Sequence, residues 1–412
     1  MDPNTGGPSQ GIRNYIPELA RLGIESEVVC LDDPNSNFLL SDNFITHALG
    51  PSKKPWNYNK KLLPWLLKNF YRFDAIIVQG LWLYHGYAAR KALKMYKRSI
   101  KKNPPPLYYK EPKLFVMPHG MLDPYFQKAK DRRLKAIRNW IYWKLIENKL
   151  IKDAEGILFT CQTELHLAKM PFHPYKPKRE LNIGFGIQEP PLYTEDMRDD
   201  FWEKCAAVKY HSYLLFLSRI HEKKGVDILI TAYANILKKK IRRQILVLDD
   251  DSLVDEENWQ KNNIPALVIA GPGLETAYGI RIQQMVNDLN LQSYVHFPGM
   301  LTGNTKWGAF YGCEAFILPS HQENFGVAIV EALACSKPVL ITNYVNIWEE
   351  IETEDGGLIG EDTVESIQEM LEIWFELSSR RKYEMGLKAQ VCYDKHFNIT
   401  KVVKRFEKAV SV

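Results

Sequence analysis

Short β-rich runs separated by longer amphipathic stretches recur along almost the whole chain, and this alternation limits its folds more than any other feature. In the first half the runs are 26–31 (SEVVCL), 74–79 (DAIIVQ), 113–118 (KLFVMP), 156–160 (GILFT) and 180–185 (ELNIGF). In the second half they are 213–218 (YLLFLS), 266–271 (ALVIAG), 294–299 (YVHFPG), 315–320 (AFILPS) and 338–342 (PVLIT). Parallel strands need crossover connections, and helices supply them while covering both sheet faces, so the pattern predicts α/β architecture. A chain of 412 residues is too long for one ordinary core. The expectation is two doubly wound Rossmann-like domains, 1–190 and 191–395, joined near the Pro-rich QEPPL at 188–192. Residues 396–412 read as a terminal helix returning to the first domain.

Composition excludes several classes. Hydrophobic residues make up 45% and charged residues 25%, which is ordinary for a globular protein and rules out disordered or fibrous chains. The six cysteines, at 30, 161, 205, 313, 335 and 392, form no C-x-x-C pair. They read as free thiols in a reducing compartment, not as a disulfide framework or zinc site. The start, MDPNTGGPSQG, lacks the apolar core of a signal peptide, and no apolar run is long enough to span a bilayer. A cytoplasmic location is expected. Residues 1–190 carry a charge balance of +13 and residues 191–412 one of −8, so the first half is suited to meet something anionic.

The densest chemical signal is AFILPSHQENFGVAIVEALACSKPVLIT, from 315 to 342. A strand ends at Ser320, a tight loop follows, and a helix begins near Gly326. Ligands of open α/β sheets bind at the carboxyl ends of strands, where helix N-termini present unpaired amides to anions. The amides of Asn324, Phe325, Gly326 and Val327 are placed for that, with Gly326 leaving room for close approach. Glu323 and Glu331 bracket the turn. Beside an anion site, carboxylates suit hydroxyl pairs: a ribose diol for Glu331 and a sugar ring for Glu323. A second signal is FLSRIHEKKGVDILITAY, where Arg219 and Lys224 sit between a strand and a helix and suit a diphosphate. His119 in VMPHGMLDP and the glycine loop Gly6–Gly7 are weaker signals. The aspartates at 249–251 lie in a polar insertion and are not expected to bind metal.

These residues resemble the retaining glycosyltransferases of the GT-B fold, the family-four group that includes sucrose-phosphate synthases and bacterial polysaccharide glycosyltransferases. Glu323 and Glu331 match its Glu-x7-Glu pattern, Arg219 and Lys224 its R-x4-K pair, and Gly6–Gly7 its first glycine loop. His119 matches its donor-sugar histidine, and LVIAGPG with Gly271 and HFPGMLTG with Gly299 and Met300 resemble its nucleotide-binding strands. The resemblance implies two domains facing across a cleft and transfer of a hexose from a UDP- or GDP-linked sugar to a glycan or lipid-linked saccharide. It implies a place in bacterial exopolysaccharide, capsule or O-antigen synthesis. No metal, cofactor or nucleic acid is implied: Arg219 and Lys224 stabilise the leaving diphosphate, and that phosphate takes the acceptor proton. A nucleotide-sugar epimerase, a non-catalytic nucleotide-sugar binder and a nicotinamide-dependent dehydrogenase are the competing readings. The paired glutamates argue against the first, the filled catalytic positions against the second, and the missing G-x-G-x-x-G against the third.

Two further expectations concern the first domain. The family's buried first strand has no counterpart before Gly6, which implies that this strand is missing and that Met1 is internal to a longer protein. The segments 128–152 and 53–72 interleave basic and aromatic residues, which suits peripheral contact with an anionic inner membrane face. An amphipathic helix packed on its own sheet is the competing reading.

Overall fold

A computed structural model describes residues 1–2, 7–40, 42–102, 111–128, 133–247 and 264–411. The chain divides into two compact units, Met1–Gln188 with Phe397–Val412, and Glu189–His396.

Among the described residues the first unit holds six parallel strands: β1 (Glu27–Cys30), β2 (Ile45–Ala48), β3 (Ala75–Gln79), β4 (Lys113–Met117), β5 (Gly156–Phe159) and β6 (Glu180–Asn182). They form two sheets, the pair β1-β2 and the four-stranded β3-β4-β5-β6. β5 is wholly buried and β4 nearly so, as strands covered by helices on both faces must be. β1 has no buried residue and β3 has one, Val78. Among the described residues no strand joins β1 to β3.

The end of the chain is tied into this unit. Ile187 donates its N–H to the Phe397 carbonyl, and Ile399 returns one to Ile187, both at 3.1 Å. The terminal helix Ile399–Val410 packs on the first helix, Gly7–Arg21. There the Tyr15 ring meets Phe406 edge-on at 5.6 Å, and its hydroxyl donates to the Gly184 carbonyl at 2.9 Å.

Among the described residues the strands of the second unit form one six-stranded parallel sheet: β7 (Tyr213–Leu217), β8 (Ala266–Ala270), β9 (Val295–Gly299), β10 (Ala315–Leu318), β11 (Val339–Thr342) and β12 (Gly357–Gly360). The order is β12-β11-β10-β7-β8-β9. β8, β10 and β11 are buried throughout, and β12, an edge strand, is half-buried. The chain builds outward from β7 through β8 to β9, then returns to the far side of β7 for β10. The neighbours β7 and β10 therefore make the topological switch point, where such sheets bind ligands beyond the strands' carboxyl ends.

Candidate active site

The turns leaving β7 and β10 are locked together. After β7 come Ser218–Ile220, a single turn over Glu222–Lys224, and Gly225 in the left-handed region at φ 65°. A Cβ on Gly225 would stand 2.1 Å from the Pro319 carbonyl oxygen, so only glycine fits between the two turns. His321 donates its N–H to the Lys223 carbonyl at 2.9 Å, lacing the loops further. Gly271, after β8, has the same closeness: its Cβ would lie 2.0 Å from the Ser218 carbonyl oxygen.

This lacing brings Lys224 onto Glu323, its ion-pair partner 99 residues away in sequence, and Lys223 onto Gln322. Glu323 is held in place by its backbone: its N–H donates to Tyr344, and its carbonyl accepts from Asn346, each at 3.0 Å. Burial pushes its pKa up, but the Lys224 ammonium, Lys223 and the Asn324 N–H together more than offset this. The carboxyl is therefore held below the ordinary glutamate range. Gly326, left-handed at φ 75°, caps the helix Val327–Ala334, and its carbonyl accepts the N–H groups of Ile329 and Val330 at 2.9 and 3.3 Å, so the Val327 and Ala328 amides stand ahead of the helix's own acceptors.

One turn into that helix, Glu331 pairs with Lys306 at 2.9 Å. Lys306 lies in the helix Gly303–Gly312, which follows β9 and is started by a capping box of Thr302 and Thr305. Its ammonium sits 4.0 Å over the Trp307 ring. Arg219 is exposed beside β7, and Gly299 and exposed Met300 border the end of β9. A Cβ on Gly299 would meet only open space, which leaves this edge accessible.

His119 lies in the first unit, after β4, in left-handed backbone at φ 52° with Gly120 at φ 76°. Buried Glu164 fixes this turn, accepting the Gly120 N–H at 2.5 Å and the Thr160 N–H at 2.7 Å. Burial lowers the His119 pKa to about 4, so at neutral pH it is uncharged, its Nε2 2.6 Å from Gln79 Oε1. The neighbouring turn after β3 is also strained. Trp82 has φ 69°, and its N–H donates at 2.8 Å to Glu147, fully buried in the π-helical turn Trp143–Glu147. Gly7 is exposed at the head of the first helix, while Gly6 and the aspartates at 249–251 lie outside the described residues.

The structure thus collects Lys224, Glu323, Glu331 and the amides from Asn324 to Val327 at the carboxyl ends of the second unit's strands. Lys306, Gln322, Asn346, Gln79, Glu164 and Glu147 are polar partners that motif spacing did not point to. Only Lys306 carried a local signal, standing three residues beyond HFPGMLTG on the expected nucleotide-binding strand.

Residues 199–386 match the family model described as Glycosyl transferases group 1. The D-inositol 3-phosphate glycosyltransferase of Kineococcus radiotolerans is 27% identical over 31% of this chain and 26% of its own length. The N-acetyl-alpha-D-glucosaminyl L-malate synthase of Bacillus anthracis is 22% identical over 56% of this chain and 54% of its own. The chain thus spans about a quarter to a half of these curated relatives. Among solved structures, a glycosyltransferase from Rickettsia africae superposes with a TM-score of 0.72 at 14% identity, covering 98% of this chain and 94% of that one. The Anabaena protein HepE, in complex with UDP and glucose, gives 0.67 at 16% identity, covering 98% and 96%. The chain therefore has the α/β fold of the GT-B glycosyltransferases, and over residues 199–386 its second unit carries the match to Glycosyl transferases group 1.

Proposed function

We propose that this protein is a retaining, metal-independent glycosyltransferase that moves a hexose from a nucleotide-diphosphate sugar to a glycan or lipid-linked saccharide, in synthesis of a bacterial surface polysaccharide. The observation that carries the reading is the Lys224–Glu323 pair at the switch point, next to a glycine-capped helix head. A diphosphate seated there meets Lys224, exposed Arg219 and the first-turn amides. These groups stabilise the negative charge that grows as the glycosidic C–O bond breaks. In this reading two cations do the work of a metal. Glu323, ionised and aimed by its backbone bonds, accepts hydrogen bonds from the donor sugar's hydroxyls. Glu331, steadied by Lys306, takes the ribose diol. His119, neutral, can bond a sugar hydroxyl without adding charge. The acceptor hydroxyl attacks the anomeric carbon on the face the diphosphate leaves. Attack on that face retains the anomeric configuration, and the hydroxyl's proton passes to the leaving phosphate oxygen. The HepE structure holds UDP and glucose, which makes UDP-glucose the first donor to try.

The test is transfer, or slow donor hydrolysis, across a panel of UDP- and GDP-sugars. Lys224→Ala, Arg219→Ala and Glu323→Ala should each lower the rate by roughly 100-fold or more with the melting temperature retained. EDTA should leave the wild-type rate unchanged. Near-wild-type turnover in the Lys224 and Arg219 variants, or loss of activity with chelator, would overturn the mechanism.

A further inference from the structure

The helical stretch after β4 has its polarity inverted. Across Arg133–Tyr142 and the following turn Trp143–Glu147, the inward positions are Asn139, Trp143 and Glu147, all buried. Trp143 anchors this side, stacking on Phe172 at 4.9 Å and donating its indole N–H to the Pro174 carbonyl. The outward positions are Leu134, Ile137, Ile141 and Leu145, which are 84%, 59%, 46% and 62% exposed. Their spacing of three and four residues puts them in one stripe along the helix. A helix whose only task is to cover its own sheet turns such a stripe inward. This one buries an asparagine and a glutamate and presents leucine and isoleucine to solvent.

Charge sets the character of the same face. Residues 133–149 contain five cations and a single acid, Glu147, which points inward and is fully buried. Lys135 and Arg138 are exposed on one side of the stripe, and Arg133 and Lys144 on the other. Trp140, 55% exposed, lies beside Lys144, whose ammonium is 5.6 Å from its ring centroid. An apolar stripe flanked by cations, with an amphipathic aromatic at its border, complements the boundary between anionic headgroups and acyl chains. Among the described residues no helix is long and apolar enough to cross a membrane, so this contact would lie in the interface plane.

We propose that the outward face of residues 133–149 docks on an anionic lipid bilayer, its apolar stripe entering the headgroup boundary and its cations meeting lipid phosphates. This does not rest on the transferase reading, and its test measures binding without turnover.

The full chain is floated with vesicles of phosphatidylcholine, with and without phosphatidylglycerol, at low and high salt. Flotation is expected with the anionic vesicles at low salt, with weaker binding as salt rises. Ile137→Ser/Ile141→Ser and Arg133→Glu/Lys135→Glu alter exposed side chains, so both should keep the wild-type melting temperature. Each should weaken vesicle binding by about tenfold or more. Absence of flotation at low salt overturns the proposal. So does undiminished binding by the charge-reversed variant, or a wild-type dimer that Ile137→Ser/Ile141→Ser converts to monomer, which would mean that a second copy covers the stripe.

Discussion

The two units use the same parts with different degrees of enclosure. In the second, the described strands make one sheet of six, the central ones buried, and the candidate site sits where that sheet changes direction. In the first, the strands fall into a pair and a four-stranded sheet, and the strands at the break, β1 and β3, are mostly half-buried. The turns that hold the candidate site residues differ accordingly. The second unit fixes Lys224 and Glu323 by packing backbone on backbone, with glycine where no side chain fits. The first fixes His119 and Trp82 in strained backbone by hydrogen bonds to two buried carboxylates, Glu164 and Glu147. One solution relies on tight packing, and the other on buried carboxyls, of which Glu147 has its pKa raised by burial.

Gly225→Ala tests the packed side and should have the largest effect. The new Cβ would meet the Pro319 carbonyl in left-handed backbone. A loss of about 3 kcal/mol is expected, a fall of roughly 6–12 °C in melting temperature for a unit of this size. Gly299→Ala shares the left-handed backbone, at φ 78°, but has open space. It should cost only about 1 kcal/mol, the backbone term alone. Equal losses in the two variants would show that contact between the turns is not what holds the site.

Glu147→Gln tests the other side. Burial raises the Glu147 pKa to about 7, opposed only by the Trp82 N–H. Between the ordinary carboxylate range and about 7, the folded chain holds a proton that the unfolded chain releases. Rising pH therefore removes stability across that window, in total about 3 kcal/mol. Glutamine keeps an acceptor for Trp82 and abolishes the titration. The variant should melt higher than wild type at pH 8 and no higher at pH 4. His119 works in the opposite sense: lowered to about 4, it lets the fold gain stability as pH rises from about 4 through the ordinary histidine range. Melting curves of Glu147→Gln across pH should expose that rising limb. A pH profile identical to wild type would remove Glu147 from the account.

Lys306→Ala probes the proposed nucleotide site more gently. Removing the partner of Glu331 should weaken UDP binding by roughly three- to tenfold, a loss near 1 kcal/mol, with little change in kcat. Calorimetric titration with UDP reads the first and steady-state kinetics the second; unchanged affinity would separate Lys306 from the site. The smallest effect is chemical. Cys30, in β1, is half-buried, whereas Cys313, just before β10, is buried, and burial pushes their thiols up to about 11 and about 12. A thiol reagent should label Cys30 first in the native chain, as mass spectrometry of timed samples would show. Faster labelling of Cys313 would contradict the contrast in enclosure between the two sheets.

Local order was what the sequence carried well. The expected runs at 266–271, 315–320 and 338–342 lie on β8, β10 and β11, because strands buried on both faces are nearly unbroken apolar runs. β2 (ITHA) and β12 (GLIG) were not expected, because each is four residues long and half-buried, and β12 begins and ends in glycine. Edge positions need neither an apolar run nor strict alternation, so their sequences hardly differ from loops. The run at 180–185 ends as a strand at Asn182, since Gly184 is left-handed and residues 184–187 turn to meet the chain's end.

By itself the sequence determined the alternation of strands and helices and the spacing that sets Glu323, Gly326 and Glu331 around one helix head. It likewise set Arg219 and Lys224 in one turn, because these are matters of local period and short loops. Only the tertiary structure decided that Lys224 meets Glu323, that Lys306 meets Glu331, and that Glu164 holds the turn of His119. Strand order brings such pairs together, and contacts between distant strands leave no periodic trace in the chain. The outward stripe from Leu134 to Leu145 belongs with these. Its residues read as a helix in either case, but which face turned inward was settled by Trp143 packing on Phe172, 29 residues farther along.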